Sequence, residues 1–177
     1  MAIDKNFYGA GLAHGSIKLA DGNVYDIDAI VSAEGDPQVD DVPVKGDDEM
    51  KATFYFNQRE EITLSANGLS FDVIQAITGN SYSSSAGGIE VALGTASEMN
   101  PPYCEVKAQT VGKDKIAGAA VTIEKIWHKV AFGPAKVTQQ GEKEYAIEMT
   151  GVAYQTSLDI EGAALASKRV ATIHVAY

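Results

Sequence analysis

Cysteine is almost absent from this chain: Cys104 is the only one in 177 residues, so no intramolecular disulfide can form. It lies in the strand-like stretch Tyr103-Cys104-Glu105-Val106-Lys107-Ala108 and reads as a small buried hydrophobe. Histidine is nearly as scarce. His14, His128 and His174 stand far apart, without the spacing of a zinc motif, and each is expected to be structural rather than catalytic. Basic residues are outnumbered, 14 Lys and Arg against 24 Asp and Glu, for a net charge of −10. Gripping nucleic acid requires a local excess of cations that release counterions, so repulsion from phosphates is expected, and solubility is the ordinary use of such charge. No window approaches the roughly 18 consecutive apolar residues of a membrane span. The first eight residues lack the basic and apolar regions of a secretory signal, and a soluble protein made in a cytoplasm is expected.

Catalytic signatures are missing as well. Gly87-Gly88 lacks the Lys-Ser/Thr and following helix of a phosphate-binding loop, and no G-x-S-x-G occurs. The carboxylates between Asp36 and Glu49 lack the order of a calcium-binding EF-hand loop. Glu60-Glu61 reads as a solvated pair. No catalytic residue, metal ligand or cofactor is assigned.

What the chain does contain is period-two alternation. Ser16-Ile17-Lys18-Leu19, the turn Asp21-Gly22-Asn23, and Val24 to Val31 read as a hairpin. Met50, Ala52, Phe54 and Phe56, then Ile62, Leu64 and Ala66, mark half-buried strands. The period changes at Phe71-Asp72-Val73-Ile74-Gln75-Ala76-Ile77-Thr78, a short helix that Ser70 can cap and Gly79 can end. Its apolar stripe must pack on a sheet, because two turns are not stable alone. Asn80 to Gly88 reads as a flexible loop, followed by a short strand from Ile89 to Leu93. Between Ala117 and Phe132 the apolar parity switches, which predicts a β-bulge near Glu124-Lys125. A last strand, Arg169 to Tyr177, is expected to be locked in a sheet. The count is eight or nine strands and one helix. The expected architecture is mainly β, an antiparallel β-sandwich or open barrel with one short α-helix, in a single domain over 1–177. A chain of this length buries roughly 70% of its unfolded surface, enough for a core without metal or disulfide.

The segment Glu34 to Glu49 interrupts this alternation and reads as a long acidic loop. Connections beyond about 12 to 15 residues without their own secondary structure are usually functional or disordered. Here Val39, Val42 and Val44 interleave with Asp36, Asp40, Asp41, Asp47 and Asp48, which suits a segment ordered against a neighbouring molecule. The residues point to assembly rather than catalysis.

This layout, with the passage Leu64-Ser65-Ala66-Asn67-Gly68-Leu69-Ser70-Phe71-Asp72-Val73-Ile74-Gln75-Ala76-Ile77-Thr78-Gly79, resembles the major tail (tail tube) proteins of long-tailed bacteriophages over nearly the whole chain. The resemblance implies a β-sandwich or open barrel flanked by a helix, and subunits that close six-membered rings. Those rings stack into a hollow tube around a tape-measure protein, tail-end and terminator proteins bound the tube, and DNA later slides through the lumen without specific binding. It also implies a place in the virion tail, with synthesis in the host cytoplasm and no membrane partner. The segment 34–49 would then contact the next subunit or ring, and Glu124, Glu142, Glu144 and Glu148, which alternate with apolar residues, are the candidate lumen acids. Outer solvent is the other place these four carboxylates can face. The immunoglobulin-like domain that some tail proteins append is not expected within these 177 residues. The alternative is a soluble β-sandwich that binds a ligand such as a carbohydrate, with Tyr82, Tyr103, Trp127 and Tyr154 as stacking faces.

Overall fold

The computed structural model describes residues 7–27, 30–46, 49–67, 70–79, 82–85, 87–91, 100–114, 120–138 and 146–176. The strands are β1 (Phe7–Leu19), β2 (Val24–Ile27), β3 (Ile30–Gly46), β4 (Glu49–Ala66), β5 (Tyr82–Ser85), β6 (Gly88–Val91) and β7 (Cys104–Asp114). They continue with β8 (Ala120–Phe132), β9 (Lys136–Thr138), β10 (Ala146–Tyr154), β11 (Thr156–Leu158), β12 (Ala164–Arg169) and β13 (Ala171–Ala176). One helix, α1 (Phe71–Thr78), lies between β4 and β5. The fold is mainly β and antiparallel, with one short helix. The thirteen strands among the described residues exceed the eight or nine expected, because short hairpin strands of three to six residues carry too little alternation to be read as separate elements.

Nine strands form one sheet, in the order β2-β1-β7-β8-β10-β4-β3, with β13 also beside β8 and β9 beside β10. Strand β8 is the branch point. Its C-terminal Val130 to Phe132 pairs β10, whereas Thr122 to Trp127 pairs β13 on that same edge. The far ends of the sheet curl toward each other: Ile30 of β3 lies over Gly15 of β1, where an added Cβ would stand 2.7 Å from Ile30 Cδ1. This curl gives the open-barrel form. The enclosed face carries Ile17, Ile62, Leu64, Val106, Trp127, Val130, Phe132, Ile147 and Met149, all essentially buried. Each such side chain contributes about 1.5 to 3 kcal/mol by leaving water.

Helix α1 forms as its sequence directs. Ser70 Oγ accepts from Val73 N at 3.2 Å, and Gly79 closes the helix at φ 72°, donating its N–H to Gln75 O at 2.9 Å. Val73, Ile74, Ala76 and Ile77 are buried, and the helix packs against β2 and β8. The β1–β2 turn is the Asp21-Gly22-Asn23 turn read from the sequence, with Gly22 at φ 86° and Asp21 Oδ1 accepting from Asn23 N at 3.0 Å.

Several expectations change. The stretch read as a flexible loop at Asn80 to Gly88 contains β5, paired with β6 in a small hairpin. The final strand begins at Ala171 rather than Arg169 and is held in the main sheet by β8 as expected, while Arg169 ends β12, which pairs β11. The bulge in β8 is not at Glu124-Lys125, where pairing with both β7 and β13 is regular. It falls at His128-Lys129, since Cys104 faces Val130 and Val106 faces Trp127. Three steps along β8 therefore match two along β7, which explains why Trp127 and His128 are buried in succession.

Candidate assembly surface

The segment read as an acidic loop is strand. Strand β3 runs from Ile30 to Gly46 and pairs β4 through to Gly46 opposite Glu49. Its Asp and Pro content suggested a loop, because those residues are depleted in strands. An edge strand solvated on its outer side tolerates both, and β3 is the terminal strand of the sheet. Pro37 and Pro43 both lie on it and offer no N–H to a further strand.

Strand β10 pairs β4 only from Arg59 to Ala66. Beyond that point, among the described residues, Asp40 to Gly46 and Glu49 to Phe56 pair only with each other, an arm two strands wide and about 20 to 25 Å long at the usual strand rise. Along it Asp41 stands opposite Tyr55, Val42 opposite Phe54, and Val44 opposite Ala52. At its base, Arg59 Nη1 donates to both carboxylate oxygens of Asp40, at 3.1 and 3.2 Å, and Gln38 Nε2 donates to Asp36 Oδ2 at 2.8 Å. Asp36, Val39 and Asp41 are exposed. Asp47 and Asp48 lie outside the described residues.

Beyond the base of the arm, an ion pair on the enclosed face links β4 to β8. Glu60 is buried, and its Oε1 accepts from Lys125 Nζ of β8; the same ammonium stands 4.5 Å from the centre of the Trp127 ring. The expected solvated Glu60-Glu61 pair is therefore divided, because strand alternation sends Glu60 inward with Ile62 and leaves Glu61 exposed.

The opposite face of the sheet is polar. Glu124 lies there among Lys107 Nζ at 3.6 Å, His174 Nδ1 at 3.8 Å and the amide of Gln109, which donates to Oε1. Glu148, on the same face, has Lys136 Nζ at 3.9 Å. Of the four lumen candidates, these two are described; Glu142 and Glu144 lie outside the described residues. Exposed carboxylates on this face at the arm's base are Glu34, Asp36 and Glu61.

The bulge at His128-Lys129 creates a second cluster on the polar face. His128 Nδ1 lies 3.2 Å from Glu105 Oε2, and Nε2 lies 2.8 Å from Thr172 Oγ1, which also accepts from Arg169 Nη1 at 3.3 Å. Carboxylate, imidazole and hydroxyl stand in the order of a nucleophilic relay. His128 is buried, however, and the cluster links β7, β8 and β13, so it acts as a clasp holding the last strand.

The cleft on this face is elsewhere, about 350 Å³ in volume and lined by Gln58, Arg59, Tyr154, Gln155 and Lys168. Next to it, Tyr154 meets Tyr103 edge to face at 6.2 Å, and Lys129 Nζ lies 4.3 Å from the centre of the Tyr103 ring. The sequence offered no signal for this grouping, since Arg59, Tyr154 and Lys168 come from distant strands and a loop-flanked hairpin. Of the four aromatics considered as stacking faces, Trp127 is buried, Tyr103 and Tyr154 are exposed, and the side chain of Tyr82 lies outside those described. Cys104 is buried, its Sγ 3.6 Å from Val130 O, and burial pushes its pKa up to about 12. No group of three or more His, Cys, Asp or Glu able to hold a metal occurs among the described residues, and none of their helices is long and apolar enough to cross a membrane. Neither a protein-family model nor a curated protein matches this chain.

Proposed function

We propose that this chain is a structural subunit of a phage tail tube, a virion protein that self-assembles into stacked hexameric rings through whose lumen DNA leaves. The observation that carries the reading is the arm. A two-stranded hairpin standing alone is marginal in water, and here one extends past the last strand that supports β4. A neighbouring subunit supplies the missing support. Exposed Val31 and Val39 on the arm strand and Ile173 on β13 give it apolar contacts, while the prolines of β3 oppose uncontrolled strand addition.

The charge follows the same logic. A net charge of −10 and the exposed carboxylates beside the arm favour a surface that DNA slides past rather than grips. Glu124 and Glu148 each sit beside cations, so they serve as fixed, partly neutralised members of that surface. Tape-measure and tail-end proteins are the partners this reading requires.

Negative-stain electron microscopy and sedimentation of the concentrated protein test it. Hollow fibres or six-membered rings are expected. Replacing residues 40–56 with an Asn-Gly turn is expected to leave a folded subunit that no longer extends tubes. Normal tubes from that variant remove the arm from assembly, and a compact monomer at every concentration, with or without a pre-formed ring as seed, overturns the proposal.

A further inference from the structure

We infer that the cleft between Arg59, Tyr154 and Lys168 is the receptor for the acidic arm strand of a second copy of this chain; this rests on the assembly reading above and names its contact. In a protein with ten more negative than positive charges, this cleft and its rim bring cations from three strands together. Arg59 and Lys168 line the cleft, and Lys129 lies over Tyr103, whose ring meets the cleft's Tyr154.

Its chemistry is already shown by the chain itself. Arg59 takes a carboxylate, Asp40, on one guanidinium nitrogen, while Lys168 has no ion-pair partner among the described residues. Of the two cations lining the cleft, Arg59 is thus paired with the arm's first aspartate, and Lys168 is left for another carboxylate. Gln58 and Gln155 can donate amide N–H groups to the same ligand, and Tyr154, 41% exposed, provides an apolar wall for a valine. An extended segment with alternating Asp and Val has the required pattern, and residues 39–44 supply it.

The far end of the arm cannot reach its own cleft. From Gln38, opposite Arg59, β3 continues as strand to Gly46, so its far end stands roughly 25 Å away along the ribbon. A carboxylate from that far end therefore reaches the cleft only from another molecule. Contacts of this kind are repeated head to tail, because arm and cleft are different surfaces, and such a heterologous contact propagates without closing on itself. It therefore suits stacking of one ring on the next.

The test is zero-length carbodiimide cross-linking of an equal mixture of unlabelled and ¹⁵N-labelled full chain, with the cross-linked peptides mapped by mass spectrometry. Mixed-isotope peptides joining Lys168 to a carboxylate between Asp36 and Glu49 are expected. Lys168→Glu is expected to raise the concentration needed for assembly at least tenfold, whereas Lys113→Glu, at an exposed lysine outside the cleft, leaves it unchanged. Tubes that form equally well from Lys168→Glu, with no Lys168 cross-link to the arm, overturn this inference and leave the tube reading standing. Cross-linked pairs without rings or fibres uphold the cleft and overturn the tube. Neither cross-link nor assembly overturns both. Binding of a single-stranded oligothymidylate that is lost in Lys168→Glu, without any arm cross-link, overturns the inference in favour of a nucleic-acid surface.

Discussion

Gly35 on β3 approaches Glu60 on β4 so closely that a Cβ added to it would stand 2.7 Å from Glu60 Cδ. The missing side chain makes room for the buried carboxylate that Lys125 holds. Gly35→Ala is expected to push Glu60 off Lys125 and destabilise the fold by about 1 to 3 kcal/mol. Urea denaturation measures this. Combining Gly35→Ala with Glu60→Ala should cost less than the sum of the two single changes, since the clash partner is gone.

Lys125 is the other half of that link. Its loss leaves Glu60 buried without a countercharge and removes the cation over Trp127. Because the lysine is about one-third exposed, water offsets part of the loss, and Lys125→Ala is expected to cost about 2 to 3 kcal/mol, below the full value for a buried pair. Trp127 emission monitors the transition, and an unchanged midpoint rules out a structural role for the pair.

Helix α1 tests the local signals. Ser70→Ala removes the acceptor for Val73 N and should cost about 1 kcal/mol. Gly79→Ala places a Cβ at φ 72° and should cost a similar amount. Thermal unfolding of each variant shows whether the helix is part of the cooperative core; two wild-type melting curves would separate it from that core.

Cys104 predicts an alkaline transition. Its folded pKa, about 12, lies above the ordinary 9.0 because burial penalises the thiolate. The folded state therefore keeps its proton where the unfolded state loses it. Stability associated with this group is full below pH 9.0 and falls as pH rises from there toward about 12. The slope cannot exceed about 1.4 kcal/mol per pH unit. Denaturation midpoints at pH 8 and pH 10.5 check the direction, and Cys104→Ala should flatten the decline at the cost of a small cavity. A thiol reagent at pH 8 should label Cys104 only as fast as the protein opens.

Much of the fold was legible locally. Ser70 and Gly79 mark the helix ends because capping involves neighbours three or four residues apart. Asp21-Gly22 marks its turn for the same reason, since the left-handed backbone at Gly22 is a property of that residue. The parity switch in β8 was visible in the order of apolar residues, but its place was not. Only pairing with β7 shows that the extra residue falls opposite Glu105, at His128-Lys129.

Alternation, with the change of period and the caps at Ser70 and Gly79, determined that this chain is mainly β with one short helix and an inward stripe from Ile62 to Ala66. Tertiary structure alone decided that the acidic segment is an edge strand, that Glu60 turns inward to Lys125 across 65 residues, and that Arg59, Tyr154 and Lys168 share a cleft. The physical reason is range. Turns, caps and side-chain parity are settled between near neighbours, whereas the worth of a proline in β3 or a carboxylate in β4 depends on which strand, if any, lies alongside.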